Sequence, residues 1–322
     1  MPVWLITDVD TEFDCLRPGY QGDPKRDNPG LTKGVPELLK FFDQYQIRAT
    51  FHIQEQRNPE FSILFRYPEV YHMIREYGQE ISLHVHVNEE DYNSRKVEIS
   101  AAFQRLKDKC YPVSSFKAGW YFSNENTIRV LEELGVKYDC SPYKNLVIGP
   151  VNWYGIPDSP YHPSYKDITK PGEARVLMLP ITNKRLGIEI KKNEDYEFEL
   201  MKKGVQALVS VSQEMEQPVI IYFNTHSWKP IEVNTSSFRK WEKERRERFF
   251  DFLRQFPIKS LTVSEAGSLW EEGMYKPYWL QLPDLLKDYI PRYEIRHHLW
   301  LVKRLSPLLA KRKYRKSGGR IR

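Results

Sequence analysis

Three short stretches hold the residue types and spacings from which hydrolytic chemistry is built. In Thr7-Asp8-Val9-Asp10-Thr11-Glu12 two aspartates stand two residues apart. On an extended chain that spacing puts both carboxylates on one face. Two carboxylates so close repel unless a proton or a cation intervenes. Taken alone, D-x-D also occurs in helix caps and loop ion pairs. Leu83-His84-Val85-His86-Val87-Asn88 repeats the spacing with imidazoles, and neutral imidazole is a common ligand for zinc and similar metals. The third stretch, Val219-Ile220-Ile221-Tyr222-Phe223-Asn224-Thr225-His226, is a very apolar run that ends in a histidine. By itself His226 reads equally as a capped core residue or a proton carrier. Together the three stretches match the needs of metal-assisted hydrolysis: protein ligands with a position open to water, a base for the proton and an acid for the leaving group.

Residues so far apart in the chain need a scaffold that brings strand ends to one place. Strands are predicted at Val3–Val9, Arg48–Ile53, Glu80–Val87, Ser115–Ala118, Val136–Cys140, Ala174–Pro180, Pro218–Asn224 and Lys259–Val263. Helices are predicted between them at Val35–Tyr45, Pro68–Tyr77, Asn93–Lys109, Asn124–Leu134, Tyr196–Met215 and Ser236–Phe256. Asn124 suits an N-cap, and Gly135 suits the left-handed position after a helix. This alternation predicts an α/β fold, a parallel sheet flanked by helices, in about seven units of an irregular (β/α) barrel. In such a barrel the C-terminal strand ends share one mouth, and all three stretches fall there. The Pro-, Tyr- and Ser-rich region from Pro142 to Gly172 reads as a long structured loop over that mouth. The barrel is assigned to residues 1–272. A C-terminal helical appendage with a basic tail is assigned to 273–322.

Composition excludes several classes. With 322 residues, 29% charged and 14% aromatic, the chain can bury a sizeable core. No apolar run is long enough to span a membrane. Three cysteines, Cys15, Cys110 and Cys140, form neither a disulfide framework nor a C-x-x-C pair. P-loop and Rossmann glycine patterns are absent, so no nucleotide cofactor is indicated. The net charge is +6, but the last 20 residues hold nine Lys or Arg and no acid. The remainder is mildly acidic, which argues against nucleic acid as a partner. The segment around His297–Leu309 is apolar and interleaved with Lys303 and Arg304. It reads as a helix docked on the body ahead of a basic end. The alternative is an amphipathic helix in peripheral contact with the inner membrane surface. No export signal is evident, so a cytoplasmic location is expected.

The order and content of these motifs resemble the polysaccharide deacetylases, the NodB-homology group of the carbohydrate esterase family 4 type. Thr7-Asp8-Val9-Asp10 is similar to the family's first motif, Ala49-Thr50-Phe51 to its second strand, and Glu80–His86 to the strand bearing histidine ligands. Phe116-Lys117-Ala118-Gly119-Trp120 stands where the family has an Arg-containing motif. Leu131-Glu132-Glu133-Leu134-Gly135-Val136-Lys137-Tyr138-Asp139 matches an L-x-x-L-G-x-x-Y-D pattern, and Thr225-His226 looks like the last motif. The resemblance covers about residues 2–270 and implies a metal-dependent carbohydrate N-deacetylase.

The resemblance also implies site roles. A divalent metal, with Zn2+ the first choice, would be held by Asp10, His84 and His86. Asp8 would be the base, and His226 the acid that protonates the departing amine. The backbone N–H of Trp120, with the metal, would stabilise the oxyanion. The substrate would be an acetylated amino sugar or glycan precursor, in assembly of lipopolysaccharide, O-antigen or capsule. Trp120, Trp153, Tyr161 and Trp228 are candidates to stack on sugar rings. Two positions depart from the family. Its histidines usually stand four apart, whereas Asn88 follows His84 by four and His86 by two. Either His86 completes the ligand set, or Asn88 does so weakly, or metal binding is impaired; strand geometry favours His86. Lys117 replaces an Arg whose planar fork orients the base, so it would act on Asp8 as a point charge. These departures motivate an alternative: a catalytically silent carbohydrate-binding or scaffold protein on the same fold. A metal-dependent amidohydrolase is disfavoured, because its H-x-H lies on the first strand rather than the third.

Overall fold

In the computed structural model, residues 3–16, 28–148, 150–181, 194–232 and 237–280 are described. The C-terminal basic segment lies outside them. The elements in order are β1 (Val3–Thr11), α1 (Val35–Tyr45), β2 (Ala49–Gln54), α2 (Ile63–Arg66), α3 (Pro68–Glu76), β3 (Glu80–Val85), α4 (Tyr92–Asp108), β4 (Ser115–Ala118), α5 (Glu125–Leu134), β5 (Tyr138–Asp139), β6 (Val147–Ile148), β7 (Val151–Asn152), β8 (Leu177–Met178), α6 (Glu194–Glu214), β9 (Val219–His226), α7 (Lys240–Leu253), β10 (Ile258–Leu261) and α8 (Val263–Glu272).

The main sheet is parallel throughout and runs β9-β1-β2-β3-β4-β5-β8. β1 is its centre. β9 pairs with it from Val3 to Asp10. Its other edge is shared in succession: β10 pairs with Val3–Ile6 and β2 with Thr7–Thr11. A sheet wedged open in this way must curl, and the result is the irregular (β/α) barrel that the strand–helix alternation predicts. The segment after β5 returns along β8. Tyr143 bridges Ile181, Tyr161 bridges Met178, and Trp153, Ile156 and Ser159 are buried.

Local signals explain the boundaries. Asn124 caps α5 by accepting from the Thr127 N–H, and Gly135 ends it at φ 75°. The α8 helix, absent from the expected series, starts at a capping box formed by Thr262 and Glu265. Alternation then sorts the side chains. Val9, Phe51, Ile53, Leu83, Val85, Phe116 and Phe223 are all buried in the apolar core between sheet and helices. Asp8, Asp10, His52, His84, Lys117, Tyr222 and Asn224 occupy the opposite, inward parity.

Residues after Gly273 do not leave the barrel at once. Tyr275 meets Trp4 edge-on, Tyr278 donates to the Pro218 carbonyl, and the Leu280 N–H donates to Asp158. No described helix is long and apolar enough to cross a membrane.

Candidate metal centre

Strand extension gathers the site. β1 continues two residues past the predicted end and carries Asp10 with it, leaving Glu12 just beyond the strand. β3 stops at Val85, so His86 is the first residue past its end. β9 runs on to His226. Parallel register brings Asp10 opposite His226 and His84 opposite Lys117.

Glu12 sits at the centre of the histidine pair. Its Oε1 lies 2.7 Å from His84 Nε2 and 2.8 Å from His86 Nε2. Among the described residues, Glu12, His84 and His86 form the group whose ligand atoms all fall within 4.8 Å of one another. His84 Nδ1 lies 2.9 Å from the Lys117 carbonyl oxygen. A carbonyl only accepts, so Nδ1 must carry a proton. The Nε2 lone pair of a neutral His84 would then point at a carboxylate oxygen, which is repulsive. A proton or a cation has to stand between them. Burial alone would pull the His84 pKa down, but Glu12 raises it above the ordinary value. Burial likewise pushes the Glu12 carboxyl up, yet His84 and His86 hold it well below the usual range. Two imidazoles and a carboxylate, one imidazole oriented through its far nitrogen, form a donor set that suits zinc.

The sequence-predicted residues divide into two groups. His84 and His86 come together as expected of strand neighbours. Asn88 is exposed beyond the strand. Asp10, assigned to the metal from the resemblance, turns to Lys117, whose Nζ is 2.7 Å from Asp10 Oδ1. Its other oxygen faces His226 Nε2 at 3.7 Å and Asn224 Nδ2 at 3.4 Å. Glu12 is the residue the motif reading passed over, although period two from Asp8 through Asp10 reaches it. Asp8, assigned as the base, is completely buried beneath these groups. It accepts from Lys117 at 2.9 Å, Tyr222 at 3.0 Å and Asn224 at 2.6 Å, and it faces His52 Nε2 at 3.2 Å. Burial would raise its carboxyl, but Lys117 and His52 hold it far below the carboxylate range. For Lys117, burial opposes the charge, and Asp10 and Asp8 override it to keep the ammonium.

His226 has 21% of its side chain exposed. Its ring stacks on Trp228 at 4.5 Å, which fixes the imidazole plane. Burial lowers its pKa despite Asp10 and Glu12. Trp120 is 64% exposed and stands edge-on to His86 at 6.0 Å, on a left-handed turn in which Tyr121 shares the positive φ. Of the four proposed sugar-stacking rings it alone offers a free face. Trp228 is buried against His226, Trp153 donates to the Tyr121 carbonyl, and Tyr161 donates to the Ile168 carbonyl. Those three are structural anchors, a correction to the sequence expectation.

No protein-family model matches the sequence, and no curated protein matches it. Solved structures do. A Mycobacterium smegmatis protein named as a polysaccharide deacetylase superimposes with a TM-score of 0.56 at 16% identity, over 86% of this chain and 94% of its own. A Parabacteroides distasonis protein named as a glycoside hydrolase/deacetylase gives 0.59 at 13% identity, over 86% and 72%. The 4-alpha-glucanotransferase of Thermococcus litoralis gives 0.51 at 16% identity; the match takes in 98% of this chain but about half, 48%, of that protein. An irregular (β/α) barrel with this strand order, superimposing over most of its length on such proteins, is the polysaccharide deacetylase fold.

Proposed function

We propose that the protein is a metal-dependent hydrolase that removes an N-acetyl group from an amino sugar. The observation that carries this reading is the pair of contacts from one Glu12 oxygen to His84 and His86, with the far nitrogen of His84 already committed to a carbonyl. Glu12, His84 and His86 would hold the cation, and zinc suits two imidazoles and a carboxylate. When bound, it supplies Lewis acidity toward the attacking water and the acyl oxygen.

The chain's own residues do the rest. Asp10, set between Lys117 and His226, accepts the proton of the attacking water. The Lys117 ammonium holds the Asp10 carboxylate in one orientation. His226, held flat by Trp228, delivers a proton to the departing amine. The exposed indole of Trp120 offers an apolar face for a pyranose ring beside the centre. This reading moves the base from Asp8 to Asp10 and the third ligand from Asp10 to Glu12. It keeps His84, His86 and His226 in the roles that the motif resemblance implies.

The test is acetate release from N-acetylated sugars by the zinc-loaded protein, run beside the chelated form. Release that needs zinc supports the reading. Saturable sugar binding without acetate release overturns it in favour of a silent carbohydrate-binding protein.

A further inference from the structure

One heavily bonded carboxylate of the barrel lies out of reach of any substrate. Asp8 is completely buried and both of its oxygens are occupied. Oδ1 accepts from Asn224, while Oδ2 accepts from Lys117 and Tyr222 and faces His52. His52 is braced in turn by Ser82, 2.7 Å from its Nδ1. With no exposed surface it meets no attacking water, so general-base work does not account for this residue.

Two of its partners reach further. Lys117 Nζ continues to Asp10 Oδ1 at 2.7 Å. Asn224 Nδ2 continues to Asp10 Oδ2 at 3.4 Å. Each oxygen of Asp10 is thus touched by a group whose other contact is Asp8. An ammonium on a four-carbon stem has no planar fork with which to fix a single carboxylate. A second carboxylate on the same ammonium supplies the missing constraint. We propose that Asp8 is a positioning residue, the buried counter-charge that anchors Lys117 and Asn224 so that they hold both oxygens of Asp10 in the orientation its reaction needs.

The inference rests on Asp10 being the base, and the experiment separates the two ideas. Asp8→Asn, Lys117→Met and the double variant are compared by zinc content, by urea unfolding and by kcat and KM on an N-acetylglucosamine oligomer. Asp8→Asn should keep zinc and KM and lose roughly 10- to 100-fold in kcat, the scale of other groups that act through a neighbour. The double variant should be no slower than Lys117→Met, because Asp8 acts through that side chain. It should also be more stable than the sum of the single losses predicts, since neither buried charge is then left alone. A double variant slower than Lys117→Met by the whole Asp8→Asn factor would make Asp8 an independent proton acceptor and overturn the proposal. Should the wild type release no acetate, the hydrolase reading fails, and the unfolding arm still decides whether Asp8 anchors Lys117: strictly additive losses overturn it.

Discussion

Gly119 lies so close under the His86 ring that a Cβ at this position would fall 2.3 Å from the imidazole Cγ. The reason for glycine here is the approach of a ring, since the backbone carries no positive φ. Gly119→Ala must push His86 away from Glu12. Zinc affinity should fall by at least tenfold, with about 1–3 kcal/mol lost in stability from overpacking. Isothermal titration with zinc and urea unfolding measure both, and an alanine variant with wild-type affinity would place His86 outside the centre.

Glu12 and Asp10 compete for one role, and substitution distinguishes them. Glu12→Gln removes the charge that both imidazoles face and should weaken zinc by more than the roughly 10–100-fold seen for outer partners. Asp10→Asn should keep stoichiometric zinc while kcat falls by about 10²–10⁴-fold, as for loss of a general base. Elemental analysis settles the ligand set: zinc lost from Asp10→Asn and kept by Glu12→Gln would restore the assignment implied by the motif resemblance.

His226 stands at the mouth with its ring against Trp228. His226→Gln should retain zinc and lose about 10²–10⁴-fold in kcat on an N-acetyl sugar, the range for a proton donor. An acetyl ester with a phenolic leaving group needs little protonation and should lose far less. Equal losses on both substrates would remove the acid role.

Asp139 reports on pH independently of the metal. It is buried and accepts from the Ser141 N–H, the Ser141 hydroxyl and the Ser123 hydroxyl. Burial outweighs these bonds and pushes its pKa up to about 6 from 3.8. Folding therefore disfavours the charged form. The stabilising contribution is complete below the unfolded value and is lost as pH rises through about 6. Asp139→Asn has no such loss, so its stability relative to wild type should rise between pH 4 and pH 8, by up to about 3 kcal/mol. A difference that stays flat over that interval would show that the carboxyl titrates normally.

Much of this protein was legible before any coordinates. Period-two spacing put His84 with His86 on one face, and the alternation of strands and helices implied a parallel barrel whose mouth collects strand ends. Asn124 and Gly135 marked the ends of α5 as local backbone geometry requires. Even α8 was signalled, by the Thr262 and Glu265 spacing, though it was not expected. These features depend on contacts within a few residues, which a linear sequence states directly.

Which carboxylate meets the imidazoles was decided only in three dimensions. Asp8, Asp10 and Glu12 share one face, so their spacing cannot choose among them. The choice follows from depth. The register of β1 against β2 and β9 sinks Asp8 among His52, Tyr222 and Asn224, leaves Asp10 level with Lys117 and His226, and raises Glu12 to the imidazoles. Depth in a barrel is set by how neighbouring strands stagger, and stagger is a relation between segments far apart in the chain.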